Sequence, residues 1–372
     1  MKQLMFVGTG KLAWHEVPEP ELQAPRDALV RPLAVARCDL DSAFFRRPLG
    51  RALQLGLASH MVDPVVCDIA DDPPYAPPIP IGHECVAEVL ELGREVSHVR
   101  VGERVVVPFQ VACGHCPTCA RGVTSRCTAG ALSVNNFGFG PGAHVHGGVM
   151  TDIVRVPFAD AMLVPVPDGV DTVAVASASD NLPDAYRAVA GPLRERPGAS
   201  VLVVGGNAKS VGLYAAAIAK ALGASEVDYC DVDDERLAIA QHVGARPVQG
   251  RRARWSRAFR SLGRRYTISV DASSDVQGRG LELALRSLEP GGVCTSVGIY
   301  PRARTPVPLM QMYVDGITLR TGITNARALI PRVLSLVAEG RLDPAPVTTL
   351  LATWSDAQRA LLAQTTKVVV AR

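Results

Sequence analysis

Apolar and polar positions divide the chain into two parts with different periodicities. From Val201 onward, short runs rich in β-branched residues alternate with segments in which apolar residues recur at helical spacing. The strand-like runs are VLVVGG, SEVDYCDVD, YTISVDAS, GGVCTSVGIY and GITLRTG, and the helical segments include AKSVGLYAAAIAKALG, DERLAIAQHVGA and GRGLELALRSLEPGG. Strands that alternate with helices of about 10 to 15 residues predict βαβ units on a parallel sheet. We therefore predict a doubly wound α/β domain over residues 182–325.

The first part of the chain has shorter strand-like runs. It is rich in Pro, Gly and Val, and segments such as ECVAEVLELG and GERVVVPF are bounded by turn residues. Many short strands separated by turns are typical of a β-barrel-like domain. The last segment, which begins with RALIPRVLSLVAEG, is too short to fold alone. We therefore assign residues 1–181 and 326–372 to one domain.

Length and charge narrow the class of protein. A chain of 372 residues is long enough for about two domains. The net charge of +3 is too small to indicate nucleic acid or an anionic membrane as a partner. We interpret the arginine-rich run at 251–265 as a solvated helix face. No apolar run approaches the roughly 18 to 20 residues of a membrane span, and Glu and Pro occur before a secretory segment could form, so we expect a cytoplasmic protein.

Four of the nine cysteines lie close together, in the stretch CGHCPTCARGVTSRC. The cytosol keeps thiols reduced, so a metal site is a better explanation than disulfides. Four thiolates at the spacing C-x2-C-x2-C-x7-C can complete a tetrahedral zinc and leave no open position, which is typical of a structural site. An iron–sulfur cluster is the alternative. The proposed ligands, in a lobe at about residues 108–130, are Cys113, Cys116, Cys119 and Cys127.

A glycine-rich turn follows the first strand of the α/β part. The stretch GGNAKSVG stands between a strand and a helix, where backbone N–H groups can bind phosphates, although it is one residue longer than G-x-G-x-x-G. A purely structural turn is the alternative. Asp231 ends the second strand, where a carboxylate would bond the adenosine ribose and repel a 2′-phosphate, so we predict NAD rather than NADP. The expected cofactor residues in this region are Gly205, Gly206, Val211, Gly212, Asp231 and Arg236.

The cysteine lobe lies between the segment IGHE and the predicted dinucleotide fold. In this order of segments the chain resembles the zinc-dependent alcohol dehydrogenase type of the medium-chain dehydrogenase/reductase superfamily. The segments GERVVVPF, VRVPFADAMLVPVP and LRSLEPGGVCTSVG also resemble family segments, and the resemblance covers nearly the whole chain. It implies a GroES-like catalytic domain, a Rossmann domain and a cleft between them. It also implies an oxidoreductase with two zinc ions per chain that transfers a hydride between an alcohol or polyol, or the matching carbonyl, and NAD.

The resemblance implies a second, catalytic zinc. Cys38 matches the first ligand of the family and His83, in IGHE, matches the second. Asp180 stands at the third position, which is acidic in some branches, and Glu84 resembles an acid that can move onto the metal. Three ligands leave a fourth position open for substrate. By the same resemblance, the strand end that lies along the nicotinamide comprises Val297, Gly298 and Ile299.

The sequence departs from the family where the proton relay usually begins. Leu40 replaces a hydroxyl residue and Ala43 replaces a histidine. Proton transfer by a placed group is typically worth about 10² to 10⁴ in rate, so the replacement matters. Asp41 is the nearest titratable substitute, and water is another. The segment 46–75 makes the spacing from Cys38 to His83 longer than usual, and we expect it to wall a substrate pocket.

Two other functions are compatible with the same residues. One is an enzyme that retains NAD through the cycle, as in aldehyde dismutation or a rearrangement without net redox change. The other is a non-catalytic binding protein on an enzyme scaffold. The resemblance also implies a homodimer or homotetramer formed through the nucleotide domain, for which residues 291–309 contain a plausible edge strand.

Overall fold

The computed structural model describes residues 1–130, 134–250 and 264–372. The strands in these residues are β1 (Lys2–Gly8), β2 (Lys11–Glu16), β3 (Ala28–Ala36), β4 (Ile79–Pro80), β5 (Glu84–Leu92), β6 (Arg104–Val107), β7 (Val154–Val156), β8 (Val164–Pro165), β9 (Val201–Val204), β10 (Val227–Asp231), β11 (Arg246–Gln249), β12 (Tyr266–Asp271), β13 (Leu288–Ser296), β14 (Thr318–Arg320), β15 (Leu350–Thr353) and β16 (Val368–Ala371).

The α-helices in the same residues are α1 (Asp39–Arg46), α2 (Leu49–Ala58), α3 (Cys67–Ala70), α4 (Pro117–Ala120), α5 (Gly140–His146), α6 (Ala159–Met162), α7 (Asn181–Glu195), α8 (Lys209–Ala221), α9 (Asp234–His242), α10 (Arg279–Arg286), α11 (Leu309–Asp315), α12 (Ala326–Ala338) and α13 (Ala357–Leu361).

The described residues form two compact units. The first comprises Met1–Pro183, Thr324–Ala338 and Thr348–Arg372, and the second comprises Asp184–Ile323 and Glu339–Val347. Residues 339–347 therefore belong to the second unit, whereas the sequence-based division placed them in the first domain. A hydrogen bond from Arg341 to the carbonyl of Ala221 ties this segment to the end of α8 at 3.0 Å.

The first unit is built on a sheet with the order β15-β16-β3-β5-β6-β8, in which β7 also pairs with β3. Its central strands β3 and β5 are rich in Val and Ala and are buried along most of their length, as strands covered on both faces should be. β3 pairs antiparallel with both neighbours, and Ala36 is opposite Glu84 on one side and Val369 on the other. A second sheet has the order β2-β1-β4. This arrangement of mostly antiparallel strands agrees with the β-rich domain that the turn-bounded segments predicted.

The second unit contains a six-stranded parallel sheet with the order β11-β10-β9-β12-β13-β14. Numbered within the sheet, this is the order 3-2-1-4-5-6 of a Rossmann fold, which the alternation of strands and helices predicted. Strand β11 was not predicted, because its sequence RPVQ lacks an apolar pattern. The edge-strand prediction for residues 291–309 was wrong: β13 lies between β12 and β14, and β14 forms the edge.

Two other sequence interpretations concern parts of the chain that the structure describes incompletely. Most of the arginine-rich run interpreted as a solvated helix face lies at 251–263, outside the described residues. Its last two members form ion pairs, Arg264 with Glu226 and Asp228, and Arg265 with Asp315. Among the helices in the described ranges, none combines the length and the apolar character needed to cross a bilayer.

Candidate functional site

Three strand ends and one tight turn bring the predicted metal ligands to the same end of the first unit's sheet. Cys38 follows β3 and precedes the first residue of α1. His83 stands between β4 and β5, after Gly82, where a φ of +89° and the Met150 backbone nitrogen, which a Cβ atom would meet at 2.9 Å, require glycine. Asp180 follows the 3-10 turn Ala176–Ser179. The register of β3 against β5 then places Cys38 beside His83 and Glu84.

The donor atoms of Cys38, His83, Glu84 and Asp180 all lie within 4.8 Å of one another. The distance from His83 Nε2 to Asp180 Oδ2 is 3.4 Å. In the described part of the chain, neither ring nitrogen of His83 has a hydrogen-bond partner, although both are buried. Buried nitrogen atoms of this kind require a partner. Sulfur, imidazole and carboxylate donors at this spacing fit a zinc ion.

The electrostatics of the cluster also favour a bound cation. Burial raises the pKa of the Cys38 thiol, and the carboxylates of Asp180 and Asp41 raise it further. Burial lowers the pKa of His83, but Asp41 and Asp180 outweigh this effect and raise it to about 9. The pKa of Glu84 is raised by burial to about 7, against the opposing effect of the Lys367 ammonium. Raised pKa values of Cys38 and Glu84, beside a histidine whose pKa is also raised, indicate a site that lacks a positive charge.

Asp41 lies on the far side of the imidazole from the metal cluster. Its Oδ2 atom is 3.6 Å from Nδ1 of His83 and accepts a hydrogen bond from the backbone nitrogen of Cys38 at 3.3 Å. The side chain is almost fully buried. We expected Asp41 as a substitute for the relay groups that Leu40 and Ala43 lack. Its position also suits a residue that orients His83, as carboxylates behind metal-bound histidines commonly do, and its part in a relay stays a prediction.

The segment 46–75, which lengthens the spacing between Cys38 and His83, contacts aromatic residues beside the metal cluster. Within it, Ile69 of α3 packs on the pair Phe109 and Phe139. The ring centroid of His83 is 4.7 Å from that of Phe139 and 5.8 Å from that of Phe109. Ile69 also approaches α5 so closely that a side chain at Gly140 would meet its carbonyl oxygen. This contact supports the idea that the segment shapes an apolar wall near the site, which remains a prediction.

The four-cysteine lobe forms a compact sulfur cluster. The sulfur atoms of Cys113, Cys116, Cys119 and Cys127 all lie within 4.8 Å of one another, and all four residues are buried. Those of Cys116 and Cys127 are 4.0 Å apart, close to the edge of a tetrahedron with zinc–sulfur bonds of about 2.3 Å. Backbone N–H groups of Cys113 and Cys116 donate to neighbouring sulfur atoms at 3.3 Å.

Hydrogen bonds in the lobe favour the thiolate form of one cysteine. The hydroxyl of Thr118, at 3.1 Å, and the backbone N–H of Cys119 lower the pKa of Cys116 to about 4. Burial raises the pKa of Cys119 to about 12. Four sulfur atoms this close cannot all carry charge without a cation, so the lobe fits a fully coordinated metal ion.

The glycine-rich turn of the second unit connects β9 to α8. A Cβ atom at Gly205 would lie 2.3 Å from Oδ2 of Asp231 and 2.5 Å from the Tyr229 hydroxyl, so only glycine leaves room for that carboxylate. At Gly206 it would lie 2.6 Å from the Ser273 carbonyl. Gly212, which follows buried Val211, lets α8 pack closely on Ala272, just after β12, and on Tyr229 of β10. These spacings suit the three glycine roles of a dinucleotide-binding turn.

Asp231 is turned inward rather than toward an open surface. Its carboxylate accepts hydrogen bonds from Arg236 Nε at 2.8 Å and Nη2 at 2.7 Å, and from the Tyr229 hydroxyl at 3.0 Å. The backbone N–H groups of Val232 and Asp233 donate to it as well. We expected Asp231 to bond a ribose directly. In the described geometry this carboxylate holds Arg236, and its contact with a ribose stays a prediction.

A buried carboxylate at the ends of β12 and β13 was missed by the sequence analysis. Asp271 accepts hydrogen bonds from the hydroxyls of Ser273, Ser296 and Tyr300 at 2.6, 2.7 and 2.8 Å. Its carbonyl accepts from the N–H of Val297 at 2.9 Å. The predicted nicotinamide segment thus begins at this cluster, continues through Gly298, and reaches the half-exposed Ile299. The pattern VDASS at a strand end was the available signal.

Lys367 and Asn181 were also missed. Both are buried, and the Lys367 ammonium lies 2.6 Å from Glu84 Oε2 and 3.0 Å from Asn181 Oδ1. A lysine that precedes an apolar strand, as in KVVVA, is usually exposed. Nothing in the local sequence distinguishes Lys367 from such a residue.

Comparison with known families gives two matches that together span most of the chain. The model described as "Alcohol dehydrogenase GroES-like domain" matches residues 24–168. The model described as "Zinc-binding dehydrogenase" matches residues 210–339. The first range contains two of the three predicted catalytic ligands and the whole cysteine lobe.

Several relatives resemble the chain over most of its length. The "Medium chain reductase/dehydrogenase ucsI" of Acremonium sp is 30% identical over 309 residues, which cover 82% of this chain and 95% of the relative. A "Probable zinc-binding alcohol dehydrogenase Rv1895" of Mycobacterium tuberculosis is 28% identical over 345 residues, covering 92% and 80%. The solved structure of "Alcohol dehydrogenase TADH from Thermus sp. ATN1" superposes with a TM-score of 0.80 at 31% identity, covering 100% of this chain and 99% of that chain.

The lobe geometry predicts that replacing one of its cysteines removes a metal ion. We expect Cys119→Ser to lower the zinc content by one ion per chain, measured by atomic emission. Loss of about 3 kcal/mol should lower the thermal midpoint by roughly 6 to 12 °C. Cys67→Ser is the matched control, because Cys67 is half-buried and belongs to neither cluster. An unchanged zinc content in Cys119→Ser would contradict the assignment.

Proposed function

The chain belongs to the zinc-dependent alcohol dehydrogenase type of the medium-chain dehydrogenase/reductase superfamily, and on this premise we propose that it transfers a hydride between an alcohol or polyol, or the matching carbonyl, and NAD. The observation that supports the proposal is the buried cluster of Cys38, His83 and Asp180. A three-ligand set leaves a position open to a substrate oxygen, whereas the closed cysteine lobe does not. We accordingly propose two zinc ions per chain.

Each residue of the cluster has a role that follows from its position. Cys38, His83 and Asp180 would hold the zinc, and Asp41 would keep Nε2 of His83 directed at it. When bound, zinc would supply Lewis acidity to the substrate oxygen and the dinucleotide would supply the hydride acceptor. His83 and Asp41 are buried, and a low-dielectric surrounding strengthens these interactions.

The route of the substrate proton should differ from a side-chain relay. Leu40 and Ala43 carry no titratable group, and Asp41 is directed at Nδ1 of His83. We propose that the proton leaves to water. A reducing compartment such as the cytoplasm is part of the proposal, because five cysteines must remain free to bind metal.

The preference for NAD follows from the charges around Arg236. A nearby arginine can accommodate the 2′-phosphate of NADP. Here the Arg236 guanidinium is buried against Asp231 and lies 3.3 Å from Asp233 Oδ2. Two carboxylates around one guanidinium leave a net negative charge, which would repel a 2′-phosphate.

Turnover tests the main proposal. Zinc-replete protein and NAD should form NADH, followed by absorbance, with one class in a panel of primary alcohols, secondary alcohols, polyols and formaldehyde. Cys38→Ala should lower kcat by about 10³-fold or more and remove one zinc without changing the circular dichroism. Cys67→Ala is the control that should retain activity. Retained activity in Cys38→Ala would refute the proposal.

The same assay distinguishes the other two functions. Consumption of formaldehyde without net NADH, by protein purified with nicotinamide already bound, would indicate an enzyme that retains NAD. Binding of zinc and NAD without turnover of any substrate class would favour a non-catalytic binding protein.

Cofactor preference gives a separate prediction. We expect kcat/KM for NAD to exceed that for NADP, and Asp231→Ser to shift the ratio toward NADP by at least about tenfold because Arg236 loses its main counter-charge. Asp234→Ser makes the same change of charge at an exposed neighbour and should leave the ratio unchanged. Equal ratios in Asp231→Ser and the wild type would exclude this role for Arg236.

An exposed apolar helix face supports the proposal of a homo-oligomer. On α11, Leu309, Met310, Tyr313 and Val314 are all largely exposed, Tyr313 by 82%. This helix leads directly into β14, the edge strand of the sheet among the described residues, and edge strands offer backbone groups for pairing. A second copy of the chain would cover both features.

Light scattering tests this surface. Tyr313→Lys should reduce the measured mass to that of a smaller assembly, because burying an ammonium in an apolar interface is unfavourable. Leu55→Lys, at a similarly exposed apolar position on α2, should leave the mass unchanged. A wild-type protein of single-chain mass would refute the proposed oligomer.

A further inference from the structure

The metal cluster contains one more donor than an open site uses. The carboxylate of Glu84 lies within the same 4.8 Å group as the donor atoms of Cys38, His83 and Asp180. If all four bound the metal, the coordination would be closed and no position would remain for a substrate. A site that binds substrate therefore needs something that restrains Glu84.

Lys367 contacts Glu84 directly. Its ammonium donates to Oε2 of Glu84 at 2.6 Å, and both side chains are fully buried. The other carboxylate oxygen, Oε1, is buried without a hydrogen-bond partner among the described residues. Movement of Glu84 onto a metal would therefore weaken a short, buried ion pair, and breaking such a pair is strongly unfavourable.

The charges of the site also require a cation at this position. Ionised Cys38, Glu84 and Asp180 together carry three negative charges, and a divalent metal neutralises two of them. The Lys367 ammonium neutralises the third, so that these three acids, the metal and the lysine together are neutral; Asp41 and Arg37, buried beside them, carry opposite charges. An unbalanced charge at a fully buried position would be costly.

The backbone around Lys367 holds the ammonium in place. The N–H of Lys367 donates to the Thr349 hydroxyl at 2.9 Å, and its carbonyl accepts from the N–H groups of Thr349 and Leu350. Arg37, which precedes the metal ligand Cys38, donates from its backbone to the carbonyl of Val368 at 2.9 Å. The lysine is thus fixed relative to both Cys38 and Glu84.

Asn181 links the lysine to a second member of the cluster. Its Oδ1 accepts from the Lys367 ammonium at 3.0 Å, and its Nδ2 donates to Sγ of Cys38 at 3.8 Å. The amide therefore gives the ammonium a second acceptor beside Glu84 and orients it between the two. A hydrogen bond to a ligand sulfur is also a common means of tuning a metal site.

We propose that Lys367 is a positioning residue that holds Glu84 off the metal, so that Cys38, His83 and Asp180 alone bind it and the fourth position stays open to substrate. The inference rests on the proposed catalytic zinc. It adds that the number of ligands is set by a lysine that does not touch the metal.

Cobalt(II) substitution tests the inference independently of turnover. The probe is the visible d–d spectrum of the Cys38 site, obtained as the difference between each protein and the same protein carrying Cys38→Ala. In Lys367→Met, Glu84 should take the fourth position in place of solvent, which should change the positions and intensities of the bands relative to the wild type. Affinity for cobalt, measured by chelator competition, should increase about tenfold.

Three further variants make the test specific. Lys367→Arg keeps the charge and should keep the wild-type spectrum. Glu84→Gln should also keep it, because Glu84 is not a ligand while Lys367 is present. The double variant Lys367→Met/Glu84→Gln should restore the wild-type spectrum, since the added ligand is gone.

A folded Lys367→Met with the wild-type spectrum and cobalt affinity would overturn the inference. If Lys367→Met does not fold, a changed spectrum in Glu84→Gln would overturn it instead, because Glu84 would then already be a ligand. Wild-type protein that binds cobalt at the Cys38 site but turns over no substrate would refute the proposed function alone.

Discussion

The pairing register of the adjacent strands β5, β3 and β16 determines which residues meet at the candidate metal site of the first unit. Ala36 of β3 is opposite Glu84 of β5 on one side and Val369 of β16 on the other. Because strand partners are fixed to within one residue wherever both faces are buried, the residues just beyond these positions must also be neighbours. Cys38, His83 and Lys367 are therefore brought together by backbone hydrogen bonds, before any side-chain interaction is considered.

Charge is the second constraint on the candidate metal site. The buried end of these strands holds several acidic groups and one histidine, with a single lysine among them. Such a collection is unstable as a set of free ions, and the proposed divalent metal together with Lys367 would offset three of its negative charges. The second unit handles buried charge differently, because Asp231 and Asp271 are satisfied by protein donors alone. Buried carboxylates thus surround the candidate metal site in the first unit, whereas in the second unit they accept hydrogen bonds from protein groups.

The features that the sequence predicted well are those encoded locally. Alternation of strands and helices predicted the Rossmann order, and four cysteines within fifteen positions predicted the sulfur cluster. The features that it did not predict depend on pairing between distant strands or on side-chain orientation. Lys367 resembles an ordinary surface lysine until β16 pairs with β3. The inward turn of Asp231 depends on the rotamer of Arg236, which spacing does not reveal.

The distance along the chain between interacting residues has a consequence for biosynthesis. Lys367 and Glu84 are 283 positions apart, whereas the lobe cysteines lie within one short loop. During synthesis the lobe can acquire its metal as soon as that loop emerges from the ribosome. The other cluster can be completed only after residue 367 has emerged and β16 has paired with β3. The two proposed metal ions would therefore enter the protein at different times, the structural one early and the catalytic one last.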